Sequence, residues 1–434
     1  MERLKTAIIG GGAAGLITAT ALDTGHGKIA LFERGDRVGK KLSATGNGQG
    51  NVTNAHLLTA EYFSVAAFAR DCEYGASNGD QNAIQALCQK RTQTIIRAYD
   101  HQNFIAYLKK LGVLVITDER GRVYPAGRQA SAVTDALRFF VAQRGVEIRL
   151  QTKILSVARQ SNGYVLTAET PDGKQTFFAE NVIICAGGKA AKNFGTDGNG
   201  YALAQAIGHT LTELYPSLVQ LKTDTAYIKT LKGIRVNDGI LTARVSSQTD
   251  QSTEKTVSLQ GDIIFTDYGV SGDAVFRISA FIAAEIATKR VTLSIDFLPD
   301  FTQEEIENLL REKQTSFPNQ PTGELLCGVV NNQIGRAILK RADNDLARAA
   351  ALAKNFPLTV TGSLGFDYAQ VTKGGIPLTE TDDGLQSLYA EGVYFAGEIL
   401  DVDGECGGFN LQWAYSSARA VAAAINQKYA QKGE

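Results

Sequence analysis

Apolar residues follow two rhythms along this chain. At the start, Leu4-Lys5-Thr6-Ala7-Ile8-Ile9 has the short, compact run of a buried strand. Gly10-Gly11-Gly12-Ala13-Ala14-Gly15 interrupts it, and Leu16 to Leu22 continues as an apolar, Ala-rich helix that stops near Gly25. A second strand, Lys28-Ile29-Ala30-Leu31-Phe32, ends on Glu33. Strand patterns return between Val146 and Glu169, at Val182-Ile183-Ile184 and from Gly392 to Phe395, and a thin Ala/Ser-rich helix is predicted from Leu411 to about Ile425. Between about 194 and 360 the rhythm changes. Gly239 to Val245 and Thr256 to Leu259 alternate, which predicts antiparallel strands. Residues 302–355 read as helical, with Thr302 and Glu305 spaced as a capping box and an Ala-rich stretch from Asp343 to Leu352. Pro357 to Gly362 reads as a strand leading back.

Strand, glycine loop, helix, strand, acid is the order of a dinucleotide-binding unit, and each piece has a physical reason. Gly10 permits the tight turn, Gly12 lets the backbone approach a pyrophosphate, and Gly15 lets helix and strand pack closely. Ala13 and Ala14 open the helix, whose N-terminus offers unpaired N–H groups and a partial positive charge to phosphates. Glu33 lies 18 residues beyond Gly15, near the spacing at which an acid accepts hydrogen bonds from the adenosine ribose. The fingerprint alone does not separate NAD from FAD.

A second glycine-rich stretch runs from Arg34 through Gly39-Lys40-Lys41 and Thr45-Gly46-Asn47-Gly48 to Asn51-Val52-Thr53-Asn54. Basic side chains beside glycines suit a pyrophosphate neighbourhood, and amides such as that of Asn47 suit a polar ring system. The Arg37-Val38-Gly39-Lys40-Lys41 piece resembles the motif that follows the fingerprint in glutathione-reductase-type flavoproteins. The stretch as a whole is similar to the BaiN/YhiN-like family of bacterial FAD-binding proteins. Further similarity lies at Gly121-Arg122-Val123-Tyr124-Pro125, Val182 to Gly188, Phe265 to Gly272, Thr372-Lys373-Gly374-Gly375-Ile376 and Tyr394 to Ala414, nearly the whole chain. There are departures. Gly48-Gln49-Gly50-Asn51 stands where the family usually reads Gly-Arg-Cys-Asn, so a cation and a thiol are missing. Residues near 70–97 look like extra length.

The resemblance implies roles for the closing motif. The strand ending at Gly397-Glu398 reaches the ribityl chain in reductase-type flavoproteins, so Glu398 is the ribityl candidate. Gly408, Asn410 and Leu411 open the last helix, and glycines there let backbone approach a ring closely. The helix dipole would stabilise negative charge at the pyrimidine edge of a reduced flavin. By the same resemblance Ile154 touches the adenine, and Ala186-Gly187 lies on the chain's exit from the cofactor domain. A bare NAD domain does not need this second half, so the cofactor expected is FAD.

The fold class expected is α/β: a Rossmann-like FAD domain with a parallel central sheet, an inserted β-barrel-like domain and a small helical domain. The boundaries expected are 1–193 and 373–434 for the FAD domain, 194–300 with 356–372 for the β-rich insertion, and 301–355 for the helices. Function then reads as an oxidoreductase moving a hydride at flavin N5 to or from a small molecule, because no Ser/His/Asp set and no metal-ligand spacing is recognisable. No second GxGxxG appears, so any NAD(P)H donor would bind transiently. Two alternatives stay open: a flavin-bearing sensor or structural protein, and an RNA-modifying flavoprotein.

Composition narrows this a little. A formal net charge of −1 gives no reason to expect nucleic acid or an anionic membrane as partner. Cys72, Cys88, Cys185, Cys327 and Cys406 stand apart, with no CxxC pair. Cys406 lies in the flavin motif and is expected to be a small buried thiol. No apolar run approaches the roughly 18 residues of a membrane span, and a signal-peptide pattern is missing, so the cytoplasm is the expected location.

Overall fold

The computed structural model describes residues 1–57, 62–65, 78–247 and 253–432. Cys72 and part of the extra length near 70–97 fall outside them; from residue 78 onward that stretch is a helix, Asn78–Ala98. The chain divides into two units, Met1–Tyr215 with Val371–Glu434, and Pro216–Gln370.

The first unit is built on strand Glu2–Ile9, whose last residues are buried on both faces. It pairs in parallel with Ile29–Phe32 on one side and Gly173–Ile184 on the other. Glu147–Arg149 extends the sheet beyond Ile29–Phe32, again in parallel. The far edge of Gly173–Ile184 is shared. Its first half takes the antiparallel strand Gly163–Thr170, followed outward by Lys153–Gln160. Its second half pairs in parallel with Val393–Phe395. The closing strand therefore enters the sheet two places from the opening one. Helix Ala13–Ala21 and the last helix, Phe409–Lys432, belong to the same core, with Leu16, Ile17, Trp413, Tyr415 and Val421 buried in it. The last helix is longer than its Ala-rich stretch, running on to Lys432.

The second unit is a closed antiparallel barrel of Leu221–Thr223, Gly269–Ser271, Thr253–Phe265, Arg235–Ser246, Arg290–Asp296 and Phe356–Ser363. The alternating segments at 239–245 and 256–259 are the centres of its two long strands, paired Leu241 to Leu259. Helices Gln303–Ser316, Asn332–Arg341 and Leu346–Lys354 contribute Ile306, Leu310, Ile338 and Ala350 to the barrel's own hydrophobic core, so residues 301–355 have no core apart from it. Residues 194–215 fall in the first unit rather than in the insertion, because Tyr201, Leu203 and Ala204 pack into the first core. Parallel sheet, barrel and helices agree with the expected fold class.

The capping box forms as the spacing predicts. Glu305 N–H donates to the Thr302 hydroxyl at 3.2 Å, and Thr302 N–H donates to the Glu305 carboxylate at 2.8 Å. Replacing Thr302 with alanine should destabilise the second unit by ~1 kcal/mol in urea unfolding. An unchanged midpoint would show that the cap contributes nothing. Among the described residues, no helix is long and apolar enough to cross a membrane.

Candidate cofactor site

The first strand ends against the strand beside it, and this decides the glycines. Gly10 has a φ of +107°, and a Cβ there would lie 2.5 Å from the Cys185 carbonyl oxygen. Gly15 is tighter still: a Cβ would stand 1.9 Å from the Gly10 carbonyl oxygen, so helix and loop meet only because residue 15 carries no side chain. Gly12 is the opposite case. Its Cβ would meet no atom within 4 Å, and it sits at the N-cap of helix Ala13–Ala21. No side chain caps that helix and its first turn holds no acid, which leaves its N–H groups and dipole to an anion.

Glu33 leaves the second strand and turns back to this loop. Its carboxylate accepts N–H bonds from Gly11 at 2.9 Å and Gly35 at 2.6 Å, one on each oxygen, leaving each a further lone pair. A cleft opens beside it, lined by Gly10, Glu33, Arg34, Ile154, Ala186 and Asn199 among others. Five residues picked from the sequence for the cofactor, Glu33 and Ile154 of them for its adenosine half, thus line one cleft. Arg34 donates to Asp197 at 2.7 Å and to the Gly195 carbonyl, closing the rim. Burial pulls the Asp197 carboxyl upward, but Arg34 and the Asn199 N–H outweigh it and hold it below the usual carboxylate range.

Gly39 adopts a left-handed conformation at the start of the short helix Lys40–Ala44, and its N–H bonds the Gly11 carbonyl at 2.8 Å. The second glycine stretch is thereby tied to the first. Lys41 reaches Glu398 at 2.7 Å, whereas Lys40 pairs outward with Asp36 at 2.6 Å. Asn47 is exposed, on a turn with φ of +54°.

The closing motif folds onto the same place. Gly397, at φ of +80°, has its N–H on the Ser417 hydroxyl, and a Cβ there would come 2.8 Å from that of Ala14. First and last helices therefore touch at the glycine turn. Glu398 accepts from Lys41 on one oxygen and from the Thr372 N–H at 2.9 Å on the other. Gly187 lies close by: a Cβ there would be 3.9 Å from the Glu398 carboxylate. At Gly408, φ is +102° and a Cβ would collide with the Thr53 carbonyl at 2.4 Å. Asn410 turns its side chain onto its own loop. Its amide accepts from the Gly404 N–H at 2.9 Å and donates to the Gly404 and Glu405 carbonyls, so it shapes the loop. Leu411 is half-buried at the helix start, and Cys406 is half-buried in the loop rather than enclosed.

Asn51 is the residue that sequence reasoning passed over. It is 8% exposed, its Oδ1 has no hydrogen-bond partner, and that atom would lie 2.8 Å from a Cβ at Gly408. A buried amide oxygen left unsatisfied costs about 1–3 kcal/mol, which calls for a partner such as a polar ring edge. Its signal in the sequence was only its place in the Gly48 to Asn54 motif. The open face at Gly12, the bare helix N-terminus, the free lone pairs of Glu33 and the orphaned Asn51 oxygen all fit a long dinucleotide with a polar ring.

A second polar cluster is invisible in the spacing of the sequence. His209 places Nδ1 3.0 Å from Glu380 and Nε2 2.6 Å from the Ser387 hydroxyl. All three residues are about 4% exposed, and the Ser387 oxygen accepts N–H bonds from Tyr389 and Ala390, so a substrate has no approach to it. The arrangement ties the 378–390 loop to the segment after helix Asn199–Gln205. Burial lowers the His209 pKa, against the pull of Glu380. The folded imidazole is therefore neutral, while the unfolded chain takes up a proton below about pH 6.5. Its contribution to stability should be complete above that value and fade as pH falls toward the folded pKa. Thermal midpoints from pH 7 to 5 should drop more steeply for the native chain than for His209→Gln; parallel slopes would refute this. Cys185, fully buried, has its thiol pushed up to about 12 by that burial and is inert.

Residues 4–424 match the family model described as the HI0933-like protein Rossmann domain. The chain belongs to that family. Its relatives include a 3-dehydro-bile acid delta(4,6)-reductase of Clostridium scindens, 32% identical over 95% of this chain and 97% of the relative. A ribosomal RNA dihydrouridine synthase of Escherichia coli is 26% identical over 97% of this chain and 98% of its own. Among solved structures, the open conformation of a flavocytochrome c3 fumarate reductase aligns with a TM-score of 0.52 at 14% identity, covering 98% of this chain and 78% of that one. This HI0933-like protein is an FAD-dependent oxidoreductase, the BaiN/YhiN-like flavoprotein that its motifs resemble.

Proposed function

We propose that this flavoprotein is a reductase that uses NAD(P)H to add hydrogen across an electron-poor carbon–carbon double bond of a small molecule, one conjugated to a carbonyl group. The nicotinamide gives up a hydride, the β-carbon of the double bond receives one, and a solvent proton enters at the α-carbon. Bound FAD supplies the two-electron carrier between donor and acceptor. The observation that carries the substrate class is the near-full-length match to a relative named as a delta(4,6)-reductase.

The chain's own residues do the holding. Gly12 and the first turn of helix Ala13–Ala21 would take the pyrophosphate, and Glu33 with Ile154 the adenosine. Lys41 and Glu398 would lie along the ribityl chain, and Asn51 with the Gly407-Gly408 turn at the ring edge. Hydride transfer needs positioning more than acid–base chemistry. The buried His209 cluster offers no proton to a substrate, in keeping with that reading.

The test is to reduce the holoenzyme anaerobically with dithionite, remove the excess, and mix it with a steroid enone or with the matching saturated ketone. Reoxidation by the enone alone, with two hydrogens gained in the product, is expected. Reoxidation by neither would favour a flavin-bearing sensor. The dihydrouridine synthase relatives favour a second reading, a uridine in RNA. The formal net charge of −1 weighs against it, since RNA binding draws on cationic surface. Unmodified ribosomal RNA as oxidant in the same experiment separates the two.

A further inference from the structure

One buried charge pair lies between segments of this site and is not among the residues assigned above to holding the cofactor. The Lys373 ammonium lies 3.0 Å from the Asp403 carboxylate, with side chains 9% and 0% exposed, and sits 4.2 Å from the centre of the Phe63 ring. A buried ion pair is weak support for stability, because desolvation offsets most of the attraction. Its location suggests another use. Thr372, one residue before the lysine, gives its N–H to Glu398 and receives the N–H groups of Lys189 and Ala190 on its hydroxyl. Gly404, one residue after the aspartate, is held by Asn410 at the start of the last helix. Asp403–Gly404 also pairs antiparallel with Tyr62–Phe63. The pair thus joins the segment that holds the ribityl candidate to the loop that fits the ring edge.

We infer that Lys373 and Asp403 form an electrostatic pair that sets the reduction potential of the bound flavin, as positioning residues rather than catalytic ones. This rests on reading the site as an FAD cradle. Reduction adds negative charge to the ring. A buried cation nearby favours the reduced form and a buried anion opposes it, both with little screening by water. The two members therefore act with opposite sign, which a purely structural contact does not do.

The experiment measures the two-electron midpoint potential of the holoenzyme against a reference dye, for wild type, Lys373→Gln, Asp403→Asn, the double variant and Lys373→Arg. Lys373→Gln should shift the equilibrium tenfold or more toward oxidised flavin, about 30 mV downward for a two-electron couple. Asp403→Asn should shift it upward by a similar factor. The double variant should return near wild type, and Lys373→Arg should stay there. Shifts of the same sign in both single variants, or no shift in either, overturn the inference. If Lys373→Gln purifies without flavin, Asp403→Asn decides, and a potential at or below wild type overturns it. A wild-type protein that holds no FAD sinks the cradle reading itself, and is told apart from the other failures by its missing flavin band.

Discussion

Replacing Gly12 with valine should give a folded protein without flavin. The backbone there has φ of −79° and extended ψ, which any residue adopts, and the new side chain meets no protein atom within 4 Å of its Cβ. Valine at an N-cap costs the helix ~1 kcal/mol relative to a good capping residue, and less relative to glycine. What the side chain occupies is the space through which a pyrophosphate must approach the helix N-terminus. Losing two charge-assisted hydrogen bonds, each ~1.5–3 kcal/mol, weakens FAD binding by a hundredfold or more. Circular dichroism should stay near wild type, and the unfolding midpoint near that of the wild-type apoprotein, while the visible flavin band disappears. Stoichiometric FAD in purified Gly12→Val would mean that the dinucleotide lies elsewhere.

Gly15→Val should behave in the opposite way. Three residues further on, a Cβ overlaps the Gly10 carbonyl oxygen at 1.9 Å, and because the carbonyl is backbone and the Cβ is fixed to the backbone, neither can swing aside. Relief requires the first helix to lift off the first strand, and Leu16 and Ile17 of the helix share one buried core with Ile8 of the strand. Ordinary overpacking costs ~1–3 kcal/mol, and this case should exceed that range, a large part of the ~5–15 kcal/mol that holds a domain folded. Urea unfolding should show the first unit lost or strongly destabilised whether or not FAD is supplied. A stable Gly15→Val that merely binds FAD less well would contradict the packing account. The contrast between the two glycines separates a residue kept small for its ligand from one kept small for its neighbours.

That contrast also shows what could be read before the structure. Gly10, Gly12, Gly15 and Glu33 were legible because their demands are local: a turn, an approach, a close packing and a fixed spacing along one strand–helix–strand unit. Glu398 was legible as the acid that ends a core strand. Lys40 and Asn410 carry side chains whose direction no motif specifies; one reaches outward to Asp36, and the other folds back on its own loop. Asn51 stayed unassigned because its distinguishing property is an unpaired oxygen in a buried place, which appears only once Gly408 is packed against it. The barrel was visible in its two long alternating strands. Its closure was not, since Leu221–Thr223 and Gly269–Ser271 are three residues each, too short to show a period. The His209, Glu380 and Ser387 cluster joins residues more than 170 positions apart, a distance over which spacing carries no information.

The most direct measurement is to mix the purified holoenzyme anaerobically with NADH and, separately, with NADPH, and to follow the flavin absorbance in a stopped-flow instrument. Rapid bleaching by one of the two, at a rate that saturates with nucleotide and is absent in Gly12→Val, is the predicted result. A flavin that stays oxidised with both nucleotides would contradict the reductase assignment.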